Sequence, residues 1–322
     1  MLNKTLAFAA AAAMSLAALA GCTSSATSEV PSAPTVDKVT VTYVTSPLNV
    51  PSITERKTGA FAAAFGDKVD VTYAELTTGP EQTAALASGD VQFLFAVGAT
   101  SVILSASNGA DIAIVDMYSR SPEAFMLLSG PNGPKSPAEL VGKTVGGPKG
   151  TILHELLLAY LASGGYTAKD IHFVDMTIPD AQAALAGGSV DVALLAGPAA
   201  STMLSGGFQK VTDGKGLVGA TIVVATTRAF AKANPAIVRT FRAAHRSVLD
   251  YMTAHPDEVV AMTAAKTQLP AATVRDMAVK YDFSADITAA DITAMSATVD
   301  FMVKNGMIEK AVDVKSLILP TE

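Results

Sequence analysis

Residues 78–98, TGPEQTAALASGDVQFLFAVG, return without a gap at residues 177–197 as TIPDAQAALAGGSVDVALLAG. Nine of the 21 aligned positions are identical. Both copies open with Thr-x-Pro and an acidic residue, continue through Ala-Ala-Leu-Ala, and close on a glycine after an apolar run. Alanine content alone does not account for the matched Thr, Pro, Leu, Val and Gly. The repeat predicts two lobes built on one plan, and small ligands commonly bind in the cleft between two domains.

Each copy lies within a longer alternation of strands and helices. Apolar periodicity predicts strands at 38–44, 69–75 and 91–97 in the first copy, with helices at 52–65 and 80–88. A strand–helix–strand order requires parallel strands joined by right-handed crossovers. We therefore predict an α/β fold of two βαβ lobes with parallel-type sheets. The second copy predicts strands at 144–145, 171–175 and 190–195, and helices at 152–163 and 180–186.

Two short apolar segments, 124–128 and 220–225, separate the copies from the rest of the chain, and we interpret them as crossings between the lobes. Everything after the second crossing has helical periodicity. The N- and C-terminal parts then share one lobe, with the other inserted between them. The predicted division is lobe 1 at 38–127 plus 226–322 and lobe 2 at 128–225, with C-terminal helices at 235–254, 256–265, 270–279 and 288–305 packed on lobe 1.

The N-terminus carries a processing signal. Lys4 precedes an apolar, alanine-rich run at 6–19, which is too short to span a bilayer comfortably. Residues 19–22, LAGC, resemble the lipobox of bacterial lipoproteins, in which the cysteine receives the lipid. Cys22 is the single cysteine of the chain, which excludes an internal disulfide. We predict a lipoprotein signal peptide at 1–22, lipidation of Cys22, and a flexible Ser/Thr/Pro-rich tether at 23–37.

The overall composition argues against two classes of protein. The 29 acidic residues outnumber the 23 basic ones and the pI is about 5.3, so nothing favours nucleic-acid binding. Mean hydropathy is high at +0.37, yet the apolar residues are interleaved with polar ones. No second run reaches membrane-spanning length. We expect contact with the membrane through the lipid anchor only.

Taken together, these features resemble one protein family. The lipobox and the paired βαβ lobes are similar to those of type II periplasmic binding proteins of ABC importers, and so is the helical tail, with Asn234-Pro235, HPDE at 255–258 and KNGMI at 304–308. The nearest resemblance is to the branch that binds sulfonates, nitrate and thiamine precursors. It implies an extracytoplasmic, lipid-anchored monomer that closes on a small molecule and delivers it to a membrane permease with its ATPase.

The predicted cleft is formed by loops at the carboxyl ends of the strands. Ligands bind there in open parallel sheets, because helix N-termini present unpaired N–H groups and a positive dipole end. Lys149 and Arg120 are the cations of these loops, and each either meets a ligand anion or stays solvated. Stacking would fall to Tyr43, Tyr118 or Phe125, unless they are core. The candidate ligand-binding residues are Ser46, Asn49, Ser52, Thr78, Gly79, Gly98, Thr100, Ser119, Arg120, Lys149, Thr151, Thr177 and Gly197.

Catalytic motifs are missing from the sequence. The four histidines have no metal-site spacing, no G-x-S-x-G occurs, and the G-x-G-x-x-G at 214–219 precedes a strand instead of joining a strand to a helix. We predict no catalytic residue, metal or cofactor. The expected ligand is a small organic anion such as an alkanesulfonate. A neutral heterocycle such as a thiamine-precursor pyrimidine stays open, as do an enzyme of the same fold and a sensory or adhesive lipoprotein.

Overall fold

The computed structural model describes residues 36–44 and 48–320 of the chain. The predicted signal peptide with Cys22, nearly all of the tether, and Ser46 lie outside the described residues. None of the described helices is long and apolar enough to span a bilayer. The strands of the described part are β1 (Lys38–Tyr43), β2 (Asp70–Glu75), β3 (Leu94–Gly98), β4 (Ala113–Arg120), β5 (Phe125–Ser129), β6 (Thr144–Gly147), β7 (His172–Asp175), β8 (Val192–Ala196), β9 (Gln209–Asp213) and β10 (Thr221–Thr226).

Two sheets with the same strand plan organise these strands. In the first, β1 pairs in parallel with β2, and a parallel bridge between Val41 and Phe93 connects them to the row β3-β10-β4. In the second, the row is β7-β6-β8-β5-β9. In the first sheet, β10 runs antiparallel to both of its neighbours, and in the second sheet β5 does the same. Each of these two strands follows, along the chain, a strand of the other sheet. The duplicated plan predicted from the repeat is therefore confirmed at the level of topology.

We call the first sheet with the helices packed on it the first lobe, and the second sheet with its helices the second lobe. The boundaries predicted from the sequence, after residues 127 and 225, fall inside β5 and β10. The segments that connect the lobes are residues 121–124 and 214–220. They are hydrogen-bonded to each other, since the Gly214 amide donates to Pro122 O at 3.1 Å and the Ser121 amide donates to Ala220 O at 3.4 Å.

The helices match the expected pattern with a few informative differences. The single helix predicted at 52–65 is wrong, because Gly59 with φ at 68° separates two helices. Four further helices were not predicted. Those at 99–107 and 197–205 each start at the residue that follows a strand, without any loop, and those at 228–233 and 314–317 are short. The helices are α1 (Val50–Thr58), α2 (Ala60–Phe65), α3 (Gly79–Ser88), α4 (Ala99–Ser107), α5 (Ile152–Ser163), α6 (Ile178–Ala186), α7 (Gly197–Ser205), α8 (Arg228–Ala233), α9 (Pro235–Ala254), α10 (Pro256–Thr267), α11 (Ala271–Ala278), α12 (Ala289–Lys304) and α13 (Val314–Leu317).

The C-terminal helices pack on the first lobe, as the sequence predicts. Helix α9 packs on α1, α2 and β4, and α12 packs on α4 and β10. The centre of this packing is Phe241 of α9, which is fully buried. Its ring stacks on Phe93 with centroids 4.0 Å apart, and it lies 4.6 Å from Phe61 and 5.8 Å from Phe95. The ring of Phe241 thus packs the C-terminal helix α9 against the first lobe.

We expect Phe241→Ala to lower the free energy of unfolding by about 3–5 kcal/mol, because it removes a buried ring and leaves a cavity among three other rings. Urea unfolding followed by circular dichroism measures this loss. Val279→Ala is the matched control, since Val279 is 84% exposed and its truncation removes no core contact. Equal stability of the two variants would contradict the assignment of Phe241 as the central packing residue.

Candidate functional site

The two repeated threonines cap helices at the cleft. Thr78 caps α3: its Oγ1 accepts from the Glu81 amide at 3.3 Å, and the Glu81 carboxylate accepts from the Thr78 amide at 2.9 Å. Thr177 caps α6 in the same manner, with Oγ1 accepting from the Asp180 amide at 3.3 Å. These local bonds fix both helix N-termini, since a capping side chain satisfies N–H groups that have no partner within the helix.

Residues of both lobes line a small, partly open cavity of about 60 Å³, which we call the interlobe chamber. This volume has room for only a few water molecules, so the lobes are nearly closed on each other. The lining is hydroxyl, amide and apolar in character, and the described residues around it include no charged side chain. They are Val44, Thr77, Thr78, Gly79, Gln82, Ala96, Gly98, Ser101, Phe125, Pro148, Thr151, Ile152, Leu153, Ile178 and Ile222.

The lobes touch directly beside this chamber. Ser101 Oγ on α4 donates to the Gly150 carbonyl in the loop before α5, at 2.9 Å. Gly79 packs so closely on Ser101 that a Cβ at position 79 would lie 2.1 Å from that hydroxyl. A side chain at position 79 would therefore displace Ser101 and disturb its bond to the second lobe. This close approach is the structural reason for glycine at the start of α3.

An open groove of about 1020 Å³ lies next to the chamber, and we call it the outer groove. Thr78 and Thr177 border it, as do Lys149 and Asp175. Lys149 is exposed; its amide donates to Asp175 Oδ1 at 2.9 Å, while its ammonium contacts no partner among the described residues. The groove therefore combines this cation with the carboxylates of Glu81 and Asp175.

His154 also borders the outer groove, and no sequence motif indicates this position. Burial, and after it the nearby charge of Lys149, lower the pKa of His154 to about 4, while Asp175 opposes the shift. At neutral pH the ring is uncharged, and its Nδ1 lies 3.4 Å from the Gly150 amide, which donates to it. His154 therefore orders the loop before α5 without adding charge to the groove.

The predicted site residues divide into several groups in the structure. Thr78, Gly79, Gly98 and Thr151 line the chamber, and Lys149 and Thr177 line the outer groove. Gly197 borders a separate pocket of about 60 Å³ together with Tyr281. Four others are buried and border none of these pockets: Asn49, Ser52, Thr100 and Ser119.

Tyr118 explains the position of one of these buried residues. Its hydroxyl lies 2.8 Å from Ser52 Oγ and accepts from the Ser52 amide at 3.1 Å. The ring is fully buried, so Tyr118 belongs to the core and does not stack on a ligand. Burial raises the pKa of Tyr118 well above its ordinary value. Two polar atoms close in sequence to this pair, Asn49 Oδ1 near Ser52 and Ser119 Oγ next to Tyr118, are buried without a hydrogen-bond partner in the described structure.

Arg120 differs from its predicted position. The sequence analysis places Arg120 in a loop of the cleft, which is wrong, because residues 118–120 end β4, where Arg120 pairs with Thr221 of β10. Its guanidinium forms a two-pronged ion pair with Asp291, with both N–O distances at 2.6 Å, and donates to the Ser284 carbonyl at 2.9 Å. Burial raises the pKa of Asp291, but the hydrogen bonds from Arg120 and Thr288, together with the charge of Arg120, outweigh burial and hold that pKa below its ordinary value.

We expect Arg120→Ala to lower the free energy of unfolding by about 3–5 kcal/mol, because it leaves the Asp291 carboxylate buried without its cation. Thermal and urea unfolding measure this effect. Arg275→Ala is the matched control: its pair with Asp257 is exposed on both sides, and its loss is expected to cost less than about 1 kcal/mol. A ligand affinity that falls while stability stays unchanged would contradict the structural role of Arg120.

Comparisons with known proteins agree with this geometry. The family model described as NMT1/THI5 like matches residues 54–259, more than half of the chain. A protein of Escherichia coli strain K12, assigned as an aliphatic sulfonates-binding protein, is 28% identical over 255 residues, which cover 77% of this chain and 79% of that protein.

Solved structures share the fold. The alkanesulfonate-binding protein SsuA from Xanthomonas axonopodis pv. citri, bound to MOPS, superposes with a TM-score of 0.80 at 22% identity, covering 88% of this chain and 99% of that one. The desulfurization enzyme DszB superposes with a TM-score of 0.65 at 16% identity, covering 88% of this chain and 96% of that one. The fold thus serves both binding and catalysis. By the family model, the chain belongs to the NMT1/THI5-like family, within the type II periplasmic binding proteins of the sulfonate, nitrate and thiamine-precursor branch.

Proposed function

We propose that this protein is an extracytoplasmic solute-binding lipoprotein of an ABC importer, and that it captures an alkanesulfonate or a similar small organic anion between its lobes. The aliphatic-sulfonate binding assigned to the Escherichia coli relative supports this ligand class. The observation that carries the proposal is the interlobe chamber, in which four helix N-termini converge around a lining without charged side chains.

Those four helices are α3, α4, α5 and α6. Their first or capping residues line the chamber: Gly79 for α3, Gly98 for α4, Thr151 for α5 and Ile178 for α6. Each N-terminus carries the equivalent of roughly half a positive charge and presents N–H donors. A sulfonate, with three oxygens and one negative charge, suits such a site, because donors from several directions can reach it. The hydroxyl of Thr78 adds a further donor, since among the described residues it only accepts, from the Glu81 amide.

Lys149 would act at the entrance to the chamber. Its ammonium lies at the outer groove, beside the N-termini of α5 and α6, and has no partner among the described residues. An exposed cation raises the local concentration of anions and speeds their association, and salt weakens both effects. We therefore assign Lys149 to attraction and orientation of the ligand, while the helix N-termini supply most of the recognition.

Ligand entry requires the lobes to separate, because the chamber is too small in this conformation for more than a few water molecules. The ligand then stabilises the closed state by its difference in affinity for the closed and open states. The closed form docks on the permease and its ATPase. A lipid on Cys22 keeps the monomeric protein near these partners through the tether at 23–37.

We take the chain as a binding protein and not an enzyme. The sequence relative reported above is a binding protein, and the described residues that line the chamber include no His, Cys, Asp or Glu to act beside a hydroxyl. A thiamine-precursor pyrimidine is the alternative ligand, and it enters the experiment as a separate arm.

We expect ethanesulfonate to raise the Tm of the mature protein, since a ligand at 100 times its Kd stabilises the folded state by about 2.7 kcal/mol. Differential scanning fluorimetry measures the shift, and calorimetry gives the Kd. Ethanesulfonamide is the matched control, because it keeps the size of the ligand and lacks its charge. A Tm shift with a pyrimidine and none with sulfonates would mean that the ligand is a neutral heterocycle. Turnover of any of these compounds would contradict the assignment as a binding protein.

We expect Lys149→Gln to raise the Kd for ethanesulfonate about fivefold at low salt, as suits an exposed charge interaction worth up to about 1 kcal/mol. The same variant should bind with a weaker salt dependence than the wild type. Lys68→Gln, which removes an exposed cation of the first lobe outside the described pockets, is the control and should leave both values unchanged. Identical salt dependence of the Kd in the wild type and both variants would contradict the assignment of Lys149 to the entrance.

A further inference from the structure

A buried carboxyl group joins the two lobes behind the chamber. Glu155 lies on α5 and is 4% exposed. Both of its oxygens accept hydrogen bonds from the first lobe: Thr100 Oγ1 on α4 donates to Oε2 at 2.5 Å, and Thr298 Oγ1 on α12 donates to Oε1 at 2.9 Å. We call this arrangement the Glu155 bridge.

The Glu155 bridge joins helices that pack on different sheets. Helix α5 packs on β5 and β8 of the second sheet, whereas α4 packs on β3 and β10, and α12 packs on α4 and β10. Any separation of the lobes that moves α5 away from α4 and α12 breaks both hydrogen bonds. The same movement exposes the Glu155 carboxyl group to water.

No cation faces this carboxyl group in the described structure. Helix α4 and strands β5 and β8 carry no ionisable residue. The charged residues of α12 are Asp291, which is paired with Arg120, and the exposed Asp300 and Lys304. On α5 itself the other ionisable side chains are His154 and Tyr160: the pKa of His154 lies at about 4, and burial raises the pKa of Tyr160, so both are uncharged at neutral pH.

The environment therefore favours the protonated acid. A carboxylate removed from water without a cation is costly, and two hydroxyl donors offset only part of that cost. Burial raises the pKa of Glu155 above its ordinary value, and the hydrogen bonds from Thr100 and Thr298 oppose the shift without cancelling it. In an open state the solvated group would return toward its ordinary pKa, because the desolvation disappears.

We propose that the Glu155 bridge is a proton-linked latch, which forms when the lobes close, takes up a proton and makes capture of the anionic ligand tighter in acidic surroundings. This inference rests on the proposed function, in which binding and closure are coupled. The direction follows from linkage: a group with a higher pKa in the closed state favours closure below its open-state pKa. That advantage is lost as the pH rises through the closed-state pKa.

The test measures the Kd of ethanesulfonate between about pH 5 and pH 8 for the wild type and Glu155→Gln. The sulfonate stays ionised throughout, so the ligand contributes no titration. We expect the wild-type Kd to rise with pH, by at most about tenfold per unit for one coupled proton. Glutamine has the same size and can still bond both threonines, so the Kd of that variant should stay within about twofold across the range.

Two control variants sharpen this comparison. Glu309→Gln removes an exposed carboxylate of the first lobe and should keep the wild-type pH profile. Thr298→Val removes one donor of the bridge while preserving shape, so it should weaken binding and retain the pH dependence. Calorimetry in two buffers with different ionisation enthalpies should detect proton uptake on binding by the wild type and none by Glu155→Gln.

A ligand-free measurement separates this proposal from the choice of ligand. Small-angle scattering at pH 5 and pH 8 should give a smaller radius of gyration for the wild type at the lower pH, and equal values for Glu155→Gln. Failure of ethanesulfonate to bind any variant would count against the proposed ligand, with the scattering result still deciding the latch. Matching pH responses of the wild type and Glu155→Gln, in affinity or in radius, would overturn the latch.

Discussion

Parallel strands joined by helices impose the constraint on which the rest of this structure depends. In a strand–helix–strand unit, every crossover must return to the same end of the sheet, so the carboxyl ends of the strands and the N-termini of the following helices share one edge. Two such edges face each other here. The chamber between them inherits four helix N-termini from the topology alone, before any side chain is considered.

Charge in this protein is used mainly for structure and sparingly for recognition. Arg120 is committed to Asp291. Asp116, which is 2% exposed, lies 3.4 Å from Arg246 and 3.6 Å from Arg242. The chamber itself depends on backbone dipoles and hydroxyls. In the proposed function, such a site would hold an anion without a fixed ion pair, which suits a carrier that must also release its ligand, because a desolvated ion pair is slow to separate.

The sequence predicted most of the fold. The repeat, the strand–helix order and the C-terminal helices were all visible in local periodicity, and Thr78 and Thr177 lie at helix N-termini as expected. The sequence could not place Arg120 correctly, because its partner Asp291 is 171 positions away. The sequence analysis assigns no role to Glu155, whose burial depends on packing against Thr298, 143 positions away. Local patterns carry no information about such distant partners.

The hydrogen bonds between the two connecting segments limit how the lobes can move. Gly214 is hydrogen-bonded to Pro122, and Ser121 to Ala220, so the two segments form one short ribbon instead of two independent connections. A ribbon bends easily about one axis and resists twisting about its length. Two connecting segments bonded in this way restrict the relative motion of the lobes more than two independent segments would.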